Sequence, residues 1–153
     1  MMRVPIVTAL ALWLASAVPQ ETTVFTFTPA FRDSVTALAR RTASTGREQM
    51  MCIPEYTLAR RDSTVYIHLG TPTPARAYLS TDTEIDFTPG DTVALCPRGV
   101  PTIHTHTAVG SDGPSVVDSV SMAKYHRPFD LMMRVEDSAH FTIVVYGQYR
   151  RNP

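Results

Sequence analysis

The chain has 153 residues, of which 44% are hydrophobic, and these values suit one compact globular domain with an ordinary core. Lysine and arginine together number 14, as do aspartate and glutamate, so the formal net charge is +0. Because nucleic-acid binding normally requires a basic excess or a basic patch, this balance argues against a nucleic-acid partner.

The N-terminus has the pattern of a signal peptide. A positive charge at Arg3 is followed by an apolar run over residues 4–14 and by the small-x-small sequence of residues 15–17. We therefore expect cleavage after Ala17, export to the periplasm or the medium, and a mature domain over residues 18–153. The apolar run is too short to cross roughly 30 Å of hydrocarbon comfortably, so no stable membrane span is expected after cleavage.

The first predicted helix covers residues 29–45. Thr28 is a typical N-cap, Pro29 suits the first helical position, and Gly46 is a natural stop. Apolar and small side chains recur at helical spacing through Phe31, Val35, Leu38, Ala39 and Thr42. One face of this helix is therefore expected to be buried.

After Gly46 the sequence changes to the pattern of strands, and residues 71–74 have the composition of a loop. Pro54 is expected to interrupt the first of these strands. The predicted strands cover residues 48–58, 64–69, 84–87, 92–96 and 100–106.

The last third of the chain contains a second predicted helix and two more strands. The helix covers residues 116–124, with Ser115 as its N-cap. Strands are predicted at residues 129–135 and 141–149. The order of elements predicts a mixed α/β fold in which helices pack on a largely antiparallel sheet.

The two cysteines, Cys52 and Cys96, leave two possibilities open. In an exported protein they could form a disulfide, whereas two buried free thiols would pack as small hydrophobic side chains. Neither lies in a CxxC motif, so the sequence gives little support to a redox or zinc-ribbon role.

A metal site is predicted around His104-Thr105-His106, near the end of a strand. Residues two apart on a strand point to the same face, so both imidazoles can reach one ion. A catalytic zinc takes three protein ligands and keeps one position open. Asp118 is placed to be the third ligand, because it lies on the first turn of the helix that begins after Ser115.

The complete string, His104-x-His106, a loop, then Ser115-x-x-Asp118, resembles the JAMM motif of the MPN-domain (JAB-domain) zinc metallopeptidases. The order of elements from about Phe31 onward is also similar to that family. The family pattern has seven residues between its second histidine and its serine, whereas this chain has eight, residues 107–114. Thr107 stands where the family usually has proline.

This resemblance implies an MPN/JAB-like fold: a mixed, largely antiparallel sheet sandwiched by helices, with the layering of cytidine deaminases. It implies that Zn²⁺ is bound by His104, His106 and Asp118. It also implies that Ser115 stabilises the charge on the carbonyl oxygen and that Glu48, which follows the first helix, is the general base. The expected reaction is hydrolysis of a peptide or isopeptide bond in a peptide or protein substrate by metal-activated water.

Two other functions stay open. One is a non-catalytic MPN-like module that binds a protein partner. The other is a cupin-like metal-binding protein, although a cupin would need a glutamate soon after His106 and would leave the two helices unexplained. Asp112 is a possible substitute ligand, but its Asp-Gly context is typical of a turn. The histidines at positions 68, 126 and 140 are expected to be structural.

Overall fold

The computed structural model describes residues 22–76, 78–87, 94–110 and 112–147. The predicted signal peptide, residues 1–17, lies outside them. Among the described residues, no helix has the length and apolar character needed to cross a membrane. The elements in chain order are β1 (Thr22–Phe27), α1 (Pro29–Thr45), β2 (Met50–Cys52), β3 (Tyr56–Arg61), β4 (Thr64–Leu69), β5 (Thr73–Pro74), β6 (Tyr78–Ser80), β7 (Ile85–Phe87), β8 (Thr102–His106), α2 (Val116–Lys124), β9 (Phe129–Val135) and β10 (Phe141–Gly147).

The strands form mixed sheets, as the sequence predicted for an α/β fold. A five-stranded sheet has the order β10-β9-β8-β2-β5, and a three-stranded sheet has the order β1-β4-β3. Strands β8 and β9 are parallel, as are β1 and β4. The other strand pairs are antiparallel, including the hairpin of β6 and β7.

Helix α1 has the bounds and the buried face that its sequence predicts. The Thr28 hydroxyl accepts a hydrogen bond from the Phe31 N–H at 3.1 Å, and Pro29 occupies the first turn. At the other end Gly46 adopts a left-handed φ of 63° and donates its N–H to the Thr42 carbonyl, a conformation that glycine adopts without steric cost. The predicted face is buried along its length and contacts β8 and β9.

Strand β8 lies at the centre of the five-stranded sheet and is buried on both faces. Side chains alternate along a strand, so Ile103 and Thr105 face α1 while Thr102, His104 and His106 face the opposite side. The face toward α1 belongs to the hydrophobic core. That core consists of Phe31, Val35, Leu38, Ala39, Ile53, Val65, Ile67, Leu69, Ile103, Phe129, Leu131, Met133 and Val135.

The strand predicted at residues 48–58 is interrupted at Pro54, as predicted, but its two parts are separate strands with different bounds. The segment divides into β2, which joins the five-stranded sheet, and β3, which joins the three-stranded sheet. Pro54 lies between them and has no N–H to donate to a ladder, so the chain changes sheets at this point. The Ile53 N–H instead donates to the Pro101 carbonyl at 2.8 Å.

The strand predicted at residues 92–96 is wrong over its described part, residues 94–96, which belong to no strand. Residues 92–93 lie outside the described ranges. The Leu95 carbonyl accepts one isolated hydrogen bond from the Arg76 N–H, and Cys96 is held by a disulfide. The loop predicted at residues 71–74 contains the two-residue strand β5, which extends the sheet edge beside β2.

The Thr105→Val variant should lower the free energy of unfolding by about 1–3 kcal/mol. The completely buried Thr105 hydroxyl accepts the Gln49 N–H at 2.8 Å and shares a second hydrogen bond with the Thr42 hydroxyl at 2.8 Å. Valine has nearly the same shape but leaves the Gln49 N–H without an acceptor. Urea unfolding measures the difference.

The matched control for this variant is Thr36→Val, at a half-buried position of α1. The Thr36 hydroxyl donates only to the Arg32 carbonyl of its own helix, so the control should change stability by less than about 0.5 kcal/mol. Equal losses in the two variants would contradict the role given to Thr105.

Candidate metal centre

The predicted metal ligands lie close together. Two of them are near the end of β8, and the third is on the first turn of α2. His104 and His106 lie on the same face of β8, are only 4% and 5% exposed, and have their Nε2 atoms 3.1 Å apart. The Asp118 carboxylate approaches both rings: Oδ1 lies 3.3 Å from His104 Nε2 and Oδ2 lies 3.6 Å from His106 Nε2. The eight-residue connection between His106 and Ser115 therefore does not keep the three side chains apart.

A capping box at the start of α2 orients the Asp118 carboxylate. The Asp118 N–H donates to the Ser115 hydroxyl oxygen at 3.1 Å, and the Ser115 N–H donates to Asp118 Oδ2 at 2.6 Å. Burial raises the pKa of Asp118, but hydrogen bonds donated by His104, His106 and Ser115 outweigh it and hold this pKa well below its usual range. The carboxylate is therefore ionised and suited to bind a cation.

The three donor atoms fit a metal ion. Donor atoms about 2.0 Å from a tetrahedral zinc are roughly 3.3 Å from one another. The two Nε2 atoms are 3.1 Å apart, and each lies 3.3 or 3.6 Å from a different oxygen of the Asp118 carboxylate. Two imidazoles and one carboxylate form a donor set that suits several divalent transition metals. The group of His104, His106 and Asp118 could therefore hold a metal ion.

Glu48 lies in the connection between α1 and β2, on the same cavity as the three candidate ligands. Backbone contacts position this residue. The Glu48 N–H donates to the Thr81 carbonyl at 2.8 Å, and Met50, two residues later, pairs with His104 across the sheet. The side chain is 4% exposed. Within the described part of the chain, no group donates a hydrogen bond to the Glu48 carboxylate, so its oxygens are left to interact with whatever occupies the cavity.

The environment of Glu48 favours its protonated form in the metal-free protein. Burial is the largest cause and raises the pKa of Glu48 to about 7; the negative charges of Asp118 and Glu84 act in the same direction, and His106 opposes them. A carboxyl group with this pKa exchanges its proton near neutral pH, which suits a general base.

The metal-free protein should lose stability as pH rises from 4.5 to about 7, in part because Glu48 has a higher pKa when folded than the usual 4.5. In this interval the unfolded chain has released the Glu48 proton while the folded chain still binds it. Stability therefore falls with rising pH. Urea unfolding in the presence of a metal chelator, repeated at several pH values, measures this slope.

Comparison with Glu48→Gln isolates the contribution of Glu48. Glutamine does not ionise, so the fall in stability across this pH interval should be smaller in that variant. Identical pH profiles for the two proteins would contradict the raised pKa of Glu48.

Ser115 has a structural task in addition to the role implied by the resemblance. Its hydroxyl oxygen accepts the Asp118 N–H, and its side chain contributes to the lowered pKa of Asp118. The residue also lines the cavity that holds His104 and His106. Ser115 therefore caps α2 and lies beside any ligand that enters the cavity.

The cavity beside the candidate ligands has a volume of about 710 Å³. One wall is the β6–β7 hairpin, next to Glu48, and another is helix α2, which carries Asp118. The lining side chains outside the candidate site are a mixture of apolar and charged groups; those on the two walls are Thr83, Glu84, Ile85, Asp86, Val117, Val120, Ser121 and Lys124.

A buried ion pair beneath α2 was not anticipated from the sequence. Asp130 is fully buried in β9 and accepts hydrogen bonds from Arg127 Nε at 2.7 Å and from the Thr102 N–H at 2.7 Å. Arg127 also donates to the Ser121 hydroxyl of α2 at 3.1 Å. The signal was present: a single aspartate inside the apolar strand sequence of β9 needs a partner.

The possible substitute ligand Asp112 and the three histidines expected to be structural lie outside the candidate metal group. Asp112 is exposed and forms an ion pair with Arg134. His68 hydrogen bonds to the Thr26 hydroxyl, and His140 pairs with Asp137. His126 lies just beyond the end of α2.

The two possibilities for the cysteines are resolved in favour of a disulfide. Cys52 in β2 and Cys96 are bonded, with their Cα atoms 5.6 Å apart. Cys96 lines the cavity, so the bond attaches this part of the wall to the sheet that carries the histidines. A disulfide is compatible with an oxidising compartment.

Comparison with known proteins gives no assignment: the chain matches no family model, and no curated protein matches its sequence.

Proposed function

We propose that this protein is a zinc-dependent hydrolase that cleaves a peptide or isopeptide bond. The observation that carries the proposal is the buried Glu48 carboxylate, which accepts no hydrogen bond from the described residues and lies on one cavity with His104, His106 and Asp118. A carboxylate in such a position costs stability, and this cost is explained if the carboxylate serves a reaction.

In the proposed mechanism His104, His106 and Asp118 hold the zinc ion. When bound there, zinc lowers the pKa of water and polarises a carbonyl oxygen. The Glu48 carboxylate accepts the proton of the attacking water and transfers it to the leaving amine, which requires its pKa to lie near the working pH. The Ser115 hydroxyl donates to the carbonyl oxygen as negative charge develops there.

We further propose that the chain is an exported member of the JAMM/MPN family with the layering of that fold. The support is the spacing of the His-x-His and Ser-x-x-Asp residues, their placement on a strand and on the first turn of the following helix, and the position of Glu48 after α1. The disulfide is compatible with export.

Zinc binding is the first test of the proposal. The purified protein should contain about one zinc ion per chain, measured by elemental analysis. Both His106→Ala and Asp118→Ala should lose it, because each removes one of three ligands. His140→Ala is the matched control, since His140 is exposed and pairs with Asp137, and it should retain zinc.

A chain that takes up no zinc when zinc is supplied would contradict the enzymatic proposal. That result would favour the non-catalytic MPN-like module that binds a protein partner. Zinc retention in both ligand variants would instead contradict the assignment of the ligands.

A further inference from the structure

We infer that the cavity selects an extended peptide with a cationic side chain on the amine side of the cleaved bond and an apolar side chain on the carbonyl side. This inference rests on the proposed function, because it uses the direction in which Glu48 transfers its proton. The two walls of the cavity differ in chemistry: one adjoins Glu48 through the hydrogen bond from the Glu48 N–H to the Thr81 carbonyl, and the other carries Asp118 on α2.

The wall formed by the β6–β7 hairpin is fixed beside Glu48. The Glu48 N–H donates to the Thr81 carbonyl at 2.8 Å, and the Met50 N–H donates to the Tyr78 hydroxyl at 2.9 Å. The Thr107 hydroxyl donates to the Asp82 carbonyl at 2.6 Å. These three hydrogen bonds connect the hairpin to residues that precede β2, lie in β2 and follow β8, so the hairpin forms a fixed wall of the cavity.

This hairpin presents negative charge to the cavity. Glu84 and Asp86 are two positions apart, are both exposed, and both line the cavity. The charge of Glu84 reaches Glu48 and contributes to its raised pKa. A cationic side chain placed between the hairpin and Glu48 would complement these carboxylates.

The wall formed by α2 presents two exposed apolar side chains beside Ser121 and Lys124. Val117 and Val120 line the cavity and are 75% and 60% exposed. The described side chains leave these two valines in contact with solvent, although they lie on the helix that carries Asp118. An apolar substrate side chain packed against them would remove this surface from water.

The direction of the reaction assigns one wall to each side of the bond. Glu48 transfers its proton to the leaving amine, so the residue that supplies this amine lies toward the hairpin and its carboxylates. Ser115, at the start of α2, donates to the carbonyl oxygen, so the residue that supplies the carbonyl lies toward Val117 and Val120. The preference for a cation and for an apolar group follows from this arrangement.

The test uses a library of peptides that varies the residues on both sides of one bond, with kcat/KM measured for the zinc-loaded protein. Peptides with lysine or arginine on the amine side should be cleaved about tenfold faster than those with glutamate, as expected for one added charge contact of about 1.4 kcal/mol. Glu84→Gln should reduce this preference several-fold, and Glu84→Lys should reverse it. Glu136→Gln, in the exposed turn after β9, is the matched control.

A binding measurement separates this inference from the proposed function. A labelled peptide with lysine and leucine at the two positions is titrated into Glu48→Gln, and fluorescence anisotropy gives its Kd. The added substitution Glu84→Lys should weaken this binding. The added pair Val117→Ser and Val120→Ser should weaken binding of the peptide with leucine on the carbonyl side, but not of a peptide with glycine at that position.

The outcomes distinguish the two ideas. Cleavage without a preference at either position would overturn the inference and leave the hydrolase proposal standing. If no peptide is cleaved, the hydrolase proposal fails, and the binding measurement decides the inference alone: a Kd that does not respond to Glu84 or to the two valines overturns it.

Discussion

Glu48→Gln should bind zinc as the unmodified protein does and hydrolyse substrate about 10²–10⁴-fold more slowly, the range expected when a general acid–base group is removed. Glutamine keeps the shape of the side chain in this buried position, but its amide cannot accept a proton from water at neutral pH. The loss should be in kcat, because the proton transfer belongs to the chemical step and Glu48 is not one of the proposed zinc ligands. Elemental analysis and steady-state kinetics on the same preparation measure both quantities.

The control for this variant is Glu136→Gln, which removes a carboxylate from an exposed turn and should leave kcat and zinc content unchanged. If Glu48→Gln keeps more than about one third of kcat, another group is the base and the main support for the proposed mechanism is lost. If it loses zinc together with activity, Glu48 acts on the metal site itself instead of on the proton.

The elements with strong local signals were predicted with their correct bounds. Helix α1 has a cap at Thr28 and a glycine stop at Gly46, and α2 begins at the predicted Ser115 cap. The candidate metal group could be predicted for the same reason. Alternation on a strand and the first turn of a capped helix are local geometries, and they set the directions of the three candidate ligands without reference to distant segments.

The features that the sequence did not predict correctly depend on contacts between distant segments. Strand β1 pairs in parallel with β4, although the whole of α1 lies between them in the chain. The sequence of β1 itself does not indicate this partner. The division of residues 48–58 between two sheets depends on where each half finds a neighbour, for which Pro54 gave only the point of interruption. Glu48 was assigned through the resemblance alone, because its burial and its raised pKa arise from the hairpin and from Asp118.

The ion pair of Arg127 and Asp130 illustrates how such contacts affect the candidate site. Asp130 is fully buried, and Arg127 connects it to Ser121 on the helix that carries Asp118. Burial raises the pKa of Asp130, while the charge of Arg127 and the hydrogen bonds from Thr102 lower it. The pair therefore joins β9, the first residue of β8 and α2 into one unit beneath the ligands.

Asp130→Ala should lower the free energy of unfolding by about 3–5 kcal/mol, the cost usually found when one partner of a buried ion pair is removed. The substitution leaves the Arg127 guanidinium buried without its carboxylate and removes the acceptor of the Thr102 N–H. Because Arg127 then no longer holds α2 against β9, zinc affinity should fall as well. Urea unfolding of the metal-free protein and competition with a zinc chelator measure the two effects.

Two further variants separate the buried charge from simple loss of packing. Asp33→Ala breaks the exposed pair with Arg32 and should cost no more than about 1 kcal/mol. In the double variant Arg127→Met with Asp130→Leu no charge is left buried, so much of the lost stability should return. If the double variant is as unstable as Asp130→Ala, packing around Asp130 explains the loss. If it regains stability but not zinc affinity, the ion pair serves to position α2 and its ligand Asp118.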